Sequence, residues 1–174
     1  MSISVRRTAA LVLAVLCVPA FATGCSGDDS SSGDAATETT QSADAGSKAL
    51  AAIEERGKPE VAVPPAPATE LKVTDVVEGT GPAVQPTDSV TVHYVGVGQQ
   101  SGKEFDSSWS RGETISFPLS GVIQGWSEGL VGMKVGGRRE LVIPGALAYG
   151  ANPPSPDIAP DETLVFVVDL AAIN

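Results

Sequence analysis

The sequence predicts an α+β domain over residues 71–174, a curled antiparallel sheet (a half-barrel) wrapped over one short helix. Three observations lead there. Runs of β-branched and apolar residues recur along this stretch, each bounded by Gly, Pro, Asp or Ser. One segment, residues 123–131, has helical spacing, with Ile123, Trp126 and Leu130 on one face. A sheet and a lone short helix bury their apolar faces together when the helix lies across one face of the sheet.

The elements follow in order. Leu71, Val73, Val76 and Val77 mark a first strand, ended by the turn Gly79-Thr80-Gly81-Pro82. Residues 90–97 alternate, with Val90, Val92 and Tyr94 on one face and Thr91, His93 and Val95 on the other. Residues 114–119 form a third strand, and Pro118, which has no N–H to give, places it at an edge or a bulge. Residues 139–143 form a fourth, with Arg138-Arg139 as its solvated start. Residues 163–170 are almost continuously apolar and predict a central strand buried on both faces. Residues 144–161, rich in Pro, Gly and Ala, read as a long surface loop of the kind that carries function.

The N-terminal part has another character. Arg6-Arg7 followed by an apolar run over residues 9–20 reads as a signal peptide, too short to span a bilayer comfortably. Two processing sites compete. Ala20-Phe21-Ala22 fits ordinary cleavage, which leaves a secreted, free chain. Ala22-Thr23-Gly24-Cys25 resembles a bacterial lipobox, in which Cys25 is lipidated and anchors the chain to the membrane. Cys17 is lost either way, so Cys25 is the one mature thiol and no internal disulfide forms. The domain boundaries drawn from this are a signal peptide over residues 1–24, a tether over 25–70 and a folded domain over 71–174. Residues 26–47 hold no large apolar side chain and predict a disordered acidic spacer. Residues 48–58 predict a short helix, and residues 59–67 an extended Pro-rich piece.

The net charge of −10 and the lack of a basic cluster beyond Arg6-Arg7 argue against a nucleic-acid partner. No grouping around His93, the sole histidine, has metal-ligand spacing, so it reads as a packed strand residue, and no metal or cofactor is implied. A monomer is expected, since no heptad pattern or long bare edge strand is evident. The aromatics of residues 71–174 are few, and several sit beside loop residues: Phe105-Asp106 and Tyr149-Gly150. That placement fits a pocket wall as well as a core.

The pieces Val92-His93-Tyr94-Val95-Gly96, residues 102–108 (GKEFDSS), residues 122–126 (VIQGW), residues 128–144, Ala148-Tyr149-Gly150 and residues 163–170 occur in an order and spacing that resembles the FKBP family of macrolide-binding peptidyl-prolyl isomerases. The resemblance covers residues 71–174. It implies a pocket between helix and sheet that receives a prolyl ring, with Trp126 as floor and Tyr94, Phe105, Val122, Ile123, Tyr149 and Phe166 as walls. It implies Asp106 at the rim, with Arg111 nearby, and catalytic roles for Asp106, Tyr149 and Tyr94. Its implied partners are Xaa-Pro segments of unfolded or exported proteins, with macrolides such as rapamycin as inhibitors. Ile115 stands where many members carry Phe, which predicts a wider substrate-binding wall there. The loop over residues 97–101 is one residue longer than usual, and residues 152–159 depart from the family, with Ile158 the one position carried over.

Overall fold

The computed structural model of the chain describes residues 35–174. The signal segment, Cys25 and the start of the spacer lie outside the described residues. In chain order the elements are α1 (Ala35–Arg56), β1 (Lys72–Val77), β2 (Ser89–Gly98), β3 (Glu104–Ser107), α2 (Ser108–Arg111), β4 (Ile115–Pro118), α3 (Gln124–Gly129), β5 (Arg138–Ile143) and β6 (Leu164–Ile173). Short 3-10 turns occupy Leu119–Gly121 and Gly145–Leu147.

The strands form one antiparallel sheet in the order β1-β5-β6-β2-β3, and β4 also pairs with β2. The ten residues of β2 serve two neighbours along one edge: Ser89 to Val92 pair with β4, and Val95 to Val97 with β3. The chain between those two short strands therefore crosses the edge of the sheet beside Tyr94. β1 closes the opposite edge, where all six of its residues are exposed. Its Lys72 and Asp75 put charge on that edge, a common guard against strand addition.

Helix α3 lies against the sheet with Gly125, Trp126 and Gly129 buried. Its fit depends on Gly125, where an added Cβ would stand 2.3 Å from Ile143 Cγ2. The core between helix and sheet includes Val92, Leu130, Leu141, Ile143, Leu164 and Leu170.

β6 is central and buried on both faces, as its continuous apolar run predicts. Leu164, Phe166, Val168 and Leu170 join the core, while Val165, Val167, Asp169 and Ala171 are buried on the reverse side. Part of that reverse side is covered by α1, which packs against β6. Here the structure corrects the reading of residues 35–47 as disordered spacer and of the helix as residues 48–58; residues 26–34 of that spacer lie outside the described residues. The helix starts at Ala35 and runs to Arg56, and Gly57 ends it with a φ of 73°. Ala49 and Ile53 are buried, Ile53 completely. Arg56, on the same face one turn further, donates to the Gly136 carbonyl at 2.7 Å. A helix of this composition is marginal alone, and the sheet surface supplies its stability.

Residues 57–70 are likewise held at intervals rather than free. The Gly57 carbonyl accepts from Arg138 Nη2 at 2.7 Å, the Pro64 carbonyl from Gln99 Nε2 at 3.1 Å, and the Ala68 N–H donates to Thr163 Oγ1 at 3.0 Å.

Arg138 and Arg139 are buried rather than a solvated strand start. Arg138 makes a two-pronged pair with Asp169, its cross-strand partner, at 2.8 and 2.9 Å. Asp169 is also opposite His93, so Arg138, Asp169 and His93 form a polar row across the reverse face. Burial pushes the Asp169 carboxyl up, against the pull of Arg138 and Arg56. Arg139 grips Asp75 of β1 at 2.7 and 3.0 Å and donates to the Gly129 carbonyl at the end of α3 at 2.8 Å. A cation there satisfies a helix carbonyl that has no partner within the helix.

Candidate active site

Each element delivers its side chain for a local reason. On β2, period-2 alternation turns Tyr94 to the core side with Val90 and Val92. On β3, Phe105 and Asp106 are half-buried. On β4, Ile115 and Phe117 share the inward face, with Ser116 and Pro118 exposed between and beyond them. Val122 and Ile123 lead into α3, whose first turn carries Trp126. Phe166 comes from β6, and Tyr149 from the long loop after β5.

These side chains enclose a cavity of about 230 Å³, lined by Tyr94, Phe105, Asp106, Phe117, Gly121, Val122, Ile123, Trp126, Tyr149 and Phe166. Three rings stand at right angles to Trp126: Tyr94 at 5.4 Å and 88°, Phe117 at 5.8 Å and 83°, and Phe166 at 5.3 Å and 87° between ring centres and planes. Such edge-on contacts suit the ring quadrupoles. They make Trp126 a floor with upright walls. Phe105 extends the wall by packing edge-on to Phe166 at 5.6 Å. That pair closes over Gly96, where an added Cβ would lie 2.8 Å from both rings. Glycine is required at this point of a strand by close approach rather than by backbone angle.

The polar groups gather around Asp106. The Tyr94 hydroxyl donates to one carboxylate oxygen and Arg111 to the other. Arg111 Nη2 also donates to the Tyr94 hydroxyl at 3.1 Å, closing a triangle. The Arg111 guanidinium lies 5.8 Å from the centre of the Tyr94 ring. Burial alone would raise the Asp106 carboxyl, but the hydrogen bonds from Tyr94 and Arg111 and the Arg111 charge hold it below the usual carboxylate range. The Tyr94 phenol is pushed up to about 12 by burial and by its bond to Asp106. Burial and the Asp106 charge also raise Tyr149, the one aromatic among the exposed large apolar side chains of the described residues. Asp106 is therefore an anion and both tyrosines are neutral hydroxyls near neutral pH.

Eight of the residues expected at the site line the cavity: Tyr94, Phe105, Asp106, Val122, Ile123, Trp126, Tyr149 and Phe166. Arg111 stands behind Asp106 rather than in the lining. Ile115 packs on the core, and the wall on that side is Phe117. Phe117 and Gly121 escaped the sequence reading, although the alternation Ile115, Ser116, Phe117 was a usable signal for the first. Ile158, from the divergent loop, is a buried core residue. His93 is packed as expected, with Nδ1 2.9 Å from Ser108 Oγ and its ring stacked on Trp109 at 4.2 Å. Ser108 Oγ also accepts from the Tyr94 N–H at 2.8 Å, so this buried group steadies the strand that carries Tyr94.

The lining carries one carboxylate and two phenols and, among the described residues, no Cys, Lys or His. No group of three or more metal-binding side chains occurs among the described residues. An aromatic well with one fixed anion at its mouth suits a small apolar ring whose attached amide stays at the rim.

The chain belongs to the FKBP-type peptidyl-prolyl cis-trans isomerase family, whose sequence pattern matches residues 81–171, and its activity is that isomerisation. It is 50% identical over 114 residues to a probable FK506-binding protein of Corynebacterium glutamicum, covering 65% of this chain and 96% of that one. It is 52% identical over 120 residues to an FK506-binding protein of Streptomyces anulatus, covering 67% and 97%. Its fold is similar to the crystal structure of FkpA from Escherichia coli, with a TM-score of 0.56 and 41% identity over 80% of this chain and 63% of that one.

Proposed function

We propose that the prolyl ring of an Xaa-Pro segment lodges over Trp126, and that the chain works outside the cytoplasm on exported proteins while anchored through a lipid on Cys25. The observation that carries the site reading is the floor of Trp126 with three rings upright around it and Asp106 fixed beside its mouth.

An Xaa-Pro bond turns slowly because rotation breaks amide resonance, a barrier of about 18–20 kcal/mol. At the top of the barrier the C–N bond is nearly single and the carbonyl is twisted out of conjugation. A site accelerates this by binding the twisted form better than either planar form. The aromatic walls hold the ring and exclude the water that favours the polar planar amide. Tyr149, at the exposed edge of the cavity, offers a hydroxyl to the substrate carbonyl. Asp106, kept ionised and immobile by Tyr94 and Arg111, presents a fixed field to the twisted carbonyl.

The cavity is smaller than the 300 Å³ or more typical of sites that engulf a drug-sized ligand. A macrolide such as rapamycin would insert one ring and leave the rest outside, in competition with substrate. Isomerisation of a Leu-Pro peptide, followed with and without rapamycin, tests this. Loss of catalysis at stoichiometric rapamycin is expected, and catalysis indifferent to saturating rapamycin would refute the shared pocket.

The signal-like N-terminus and the Ala22-Thr23-Gly24-Cys25 box support the lipid anchor. No helix among the described residues is long and apolar enough to cross a membrane. Ten peptide steps separate Cys25 from Ala35, the first residue of α1. Fully extended they span at most about 35 Å, so an anchored chain would keep its domain close to the bilayer. Mass spectrometry of the mature N-terminus is expected to show a lipidated Cys25, and an unmodified chain starting at Thr23 would rule the anchor out.

A further inference from the structure

We propose that Lys58, in the segment before the family-matched region, is a positioning residue for the rim of the prolyl site, acting through Glu104 and Ser110. The inference rests on the isomerase reading of the pocket. Lys58 Nζ lies 2.7 Å from Glu104 Oε2 and donates to Ser110 Oγ at 3.1 Å. The Ser110 hydroxyl donates in turn to Glu104 Oε1 at 2.7 Å. Three groups thus close a ring, with Lys58 donating to both partners and the Ser110 hydroxyl both accepting and donating.

The place of this ring in the chain gives it a function. Glu104 immediately precedes Phe105 and Asp106, and Ser110 immediately precedes Arg111. The ring therefore joins the two ends of the turn that carries one pocket wall and both members of the Asp106–Arg111 pair. Inside the turn, Ser107 Oγ accepts from the Ser110 N–H at 3.3 Å and caps α2. That helix is a single turn and cannot stiffen the segment by itself. Burial would raise the Glu104 carboxyl, but the bonds from Lys58 and Ser110 hold it below its usual range, which keeps it an acceptor at neutral pH.

Lys58 is also anchored from behind. Its neighbour Gly57 closes α1 by donating to the Ile53 carbonyl at 3.1 Å, and the Gly57 carbonyl accepts from the buried Arg138. Ile53 and Arg56 fix the helix to the reverse face of the sheet. A rigid path therefore runs from α1 through Gly57 and Lys58 to the rim. Catalytic groups need placement within about 0.5 Å, and such support from behind supplies it.

The test compares full-length wild type with K58A, K58R, E104Q and K58A/E104Q at low salt. K58A is expected to lower kcat by about two- to fivefold, the range that partly exposed ion pairs contribute, with KM for a Leu-Pro peptide little changed because the aromatic well is intact. K58R restores the rate, the double variant is no worse than either single one, and salt near 1 M narrows the gap by screening. Amide exchange over residues 104–111 is expected to quicken in K58A while residues 89–98 stay protected. An active wild type with K58A equal to it in kcat, or K58R failing to rescue, overturns the proposal. An inactive wild type would sink the isomerase reading instead; the exchange data then decide the brace, with unchanged exchange over residues 104–111 overturning it.

Discussion

Asp106 sits between two groups that decide its behaviour. Tyr94 and Arg111 hold it ionised below the usual carboxylate range, and Tyr94 itself does not ionise until about pH 12. Nothing at the rim changes charge in between, so kcat/KM should stay level from about pH 5 to about pH 9. It should fall only in acid, as Asp106 takes up a proton. A step between pH 6 and 8 would contradict this, since even His93 is lowered by burial below its ordinary range, against the pull of Asp169 and Glu54. The same shift has a stability consequence. A carboxyl lowered on folding contributes stability that is fully present above its unfolded value, about 3.9, and is lost as pH falls through the folded one. Asp75, lowered by its hydrogen bond to Arg139, adds to this in the same direction. Gly96 provides a second residue-scale test. Gly96→Ala must displace Phe105 or Phe166, because the new methyl would lie 2.8 Å from each ring. An overpacked core site costs about 1–3 kcal/mol, so denaturation should show that loss together with weaker peptide binding, and an unperturbed variant would mean that the rings move freely. Phe105 and Tyr149 were legible as aromatics beside turn residues, and Tyr94, Val122, Ile123, Trp126 and Phe166 through the resemblance to the family. Phe117 was not, because Ile115, two positions earlier on the same strand face, holds the place where the resemblance sets a wall residue.

At the scale of elements, five of the six strands were legible, and β3 and the one-turn α2 were not. β2, β5 and β6 announce themselves by alternation or by an unbroken apolar run. β3 and α2 have four residues each, too few to show a period, and they form because β2 offers an open edge and Ser107 a cap. The N-terminal half of α1 was hidden for another reason, while its last turns fell within the helix expected over residues 48–58. Residues 35–47 hold no large apolar side chain, and the buried face further on rests on Ala49, Ile53 and the stem of Arg56. Its stability comes from a sheet surface that is assembled far away in sequence. Ile53→Ala should therefore cost about 2–4 kcal/mol in denaturant unfolding, since Ile53 is fully buried. A cost below about 0.5 kcal/mol would contradict the docked helix. Arg138→Leu should cost about 3 kcal/mol or more, because it leaves the buried Asp169 without its two-pronged partner and with only Arg56, 3.6 Å away, as a cation beside it. A variant as stable as wild type would show that the pair is dispensable.

Across the whole molecule, one face of the sheet makes the well and the other carries the helix that precedes it. The α+β class and the sheet wrapped over a short helix followed from the strand pattern and the single helical segment at residues 123–131. The reverse layer did not, because no local pattern marks a surface that becomes apolar only after β5, β6 and β2 are joined. The central claim is that the aromatic well and its rim speed rotation about the Xaa-Pro bond. The most direct measurement is the cis-to-trans rate of a Leu-Pro peptide with the full chain and with its Asp106→Ala/Tyr149→Phe variant. The account predicts fast conversion by the wild type and a loss of about ten- to a hundredfold in the variant, with its fold intact by circular dichroism, as expected when two polar groups facing the transition state are removed. A variant that converts the peptide as fast as the wild type would contradict it.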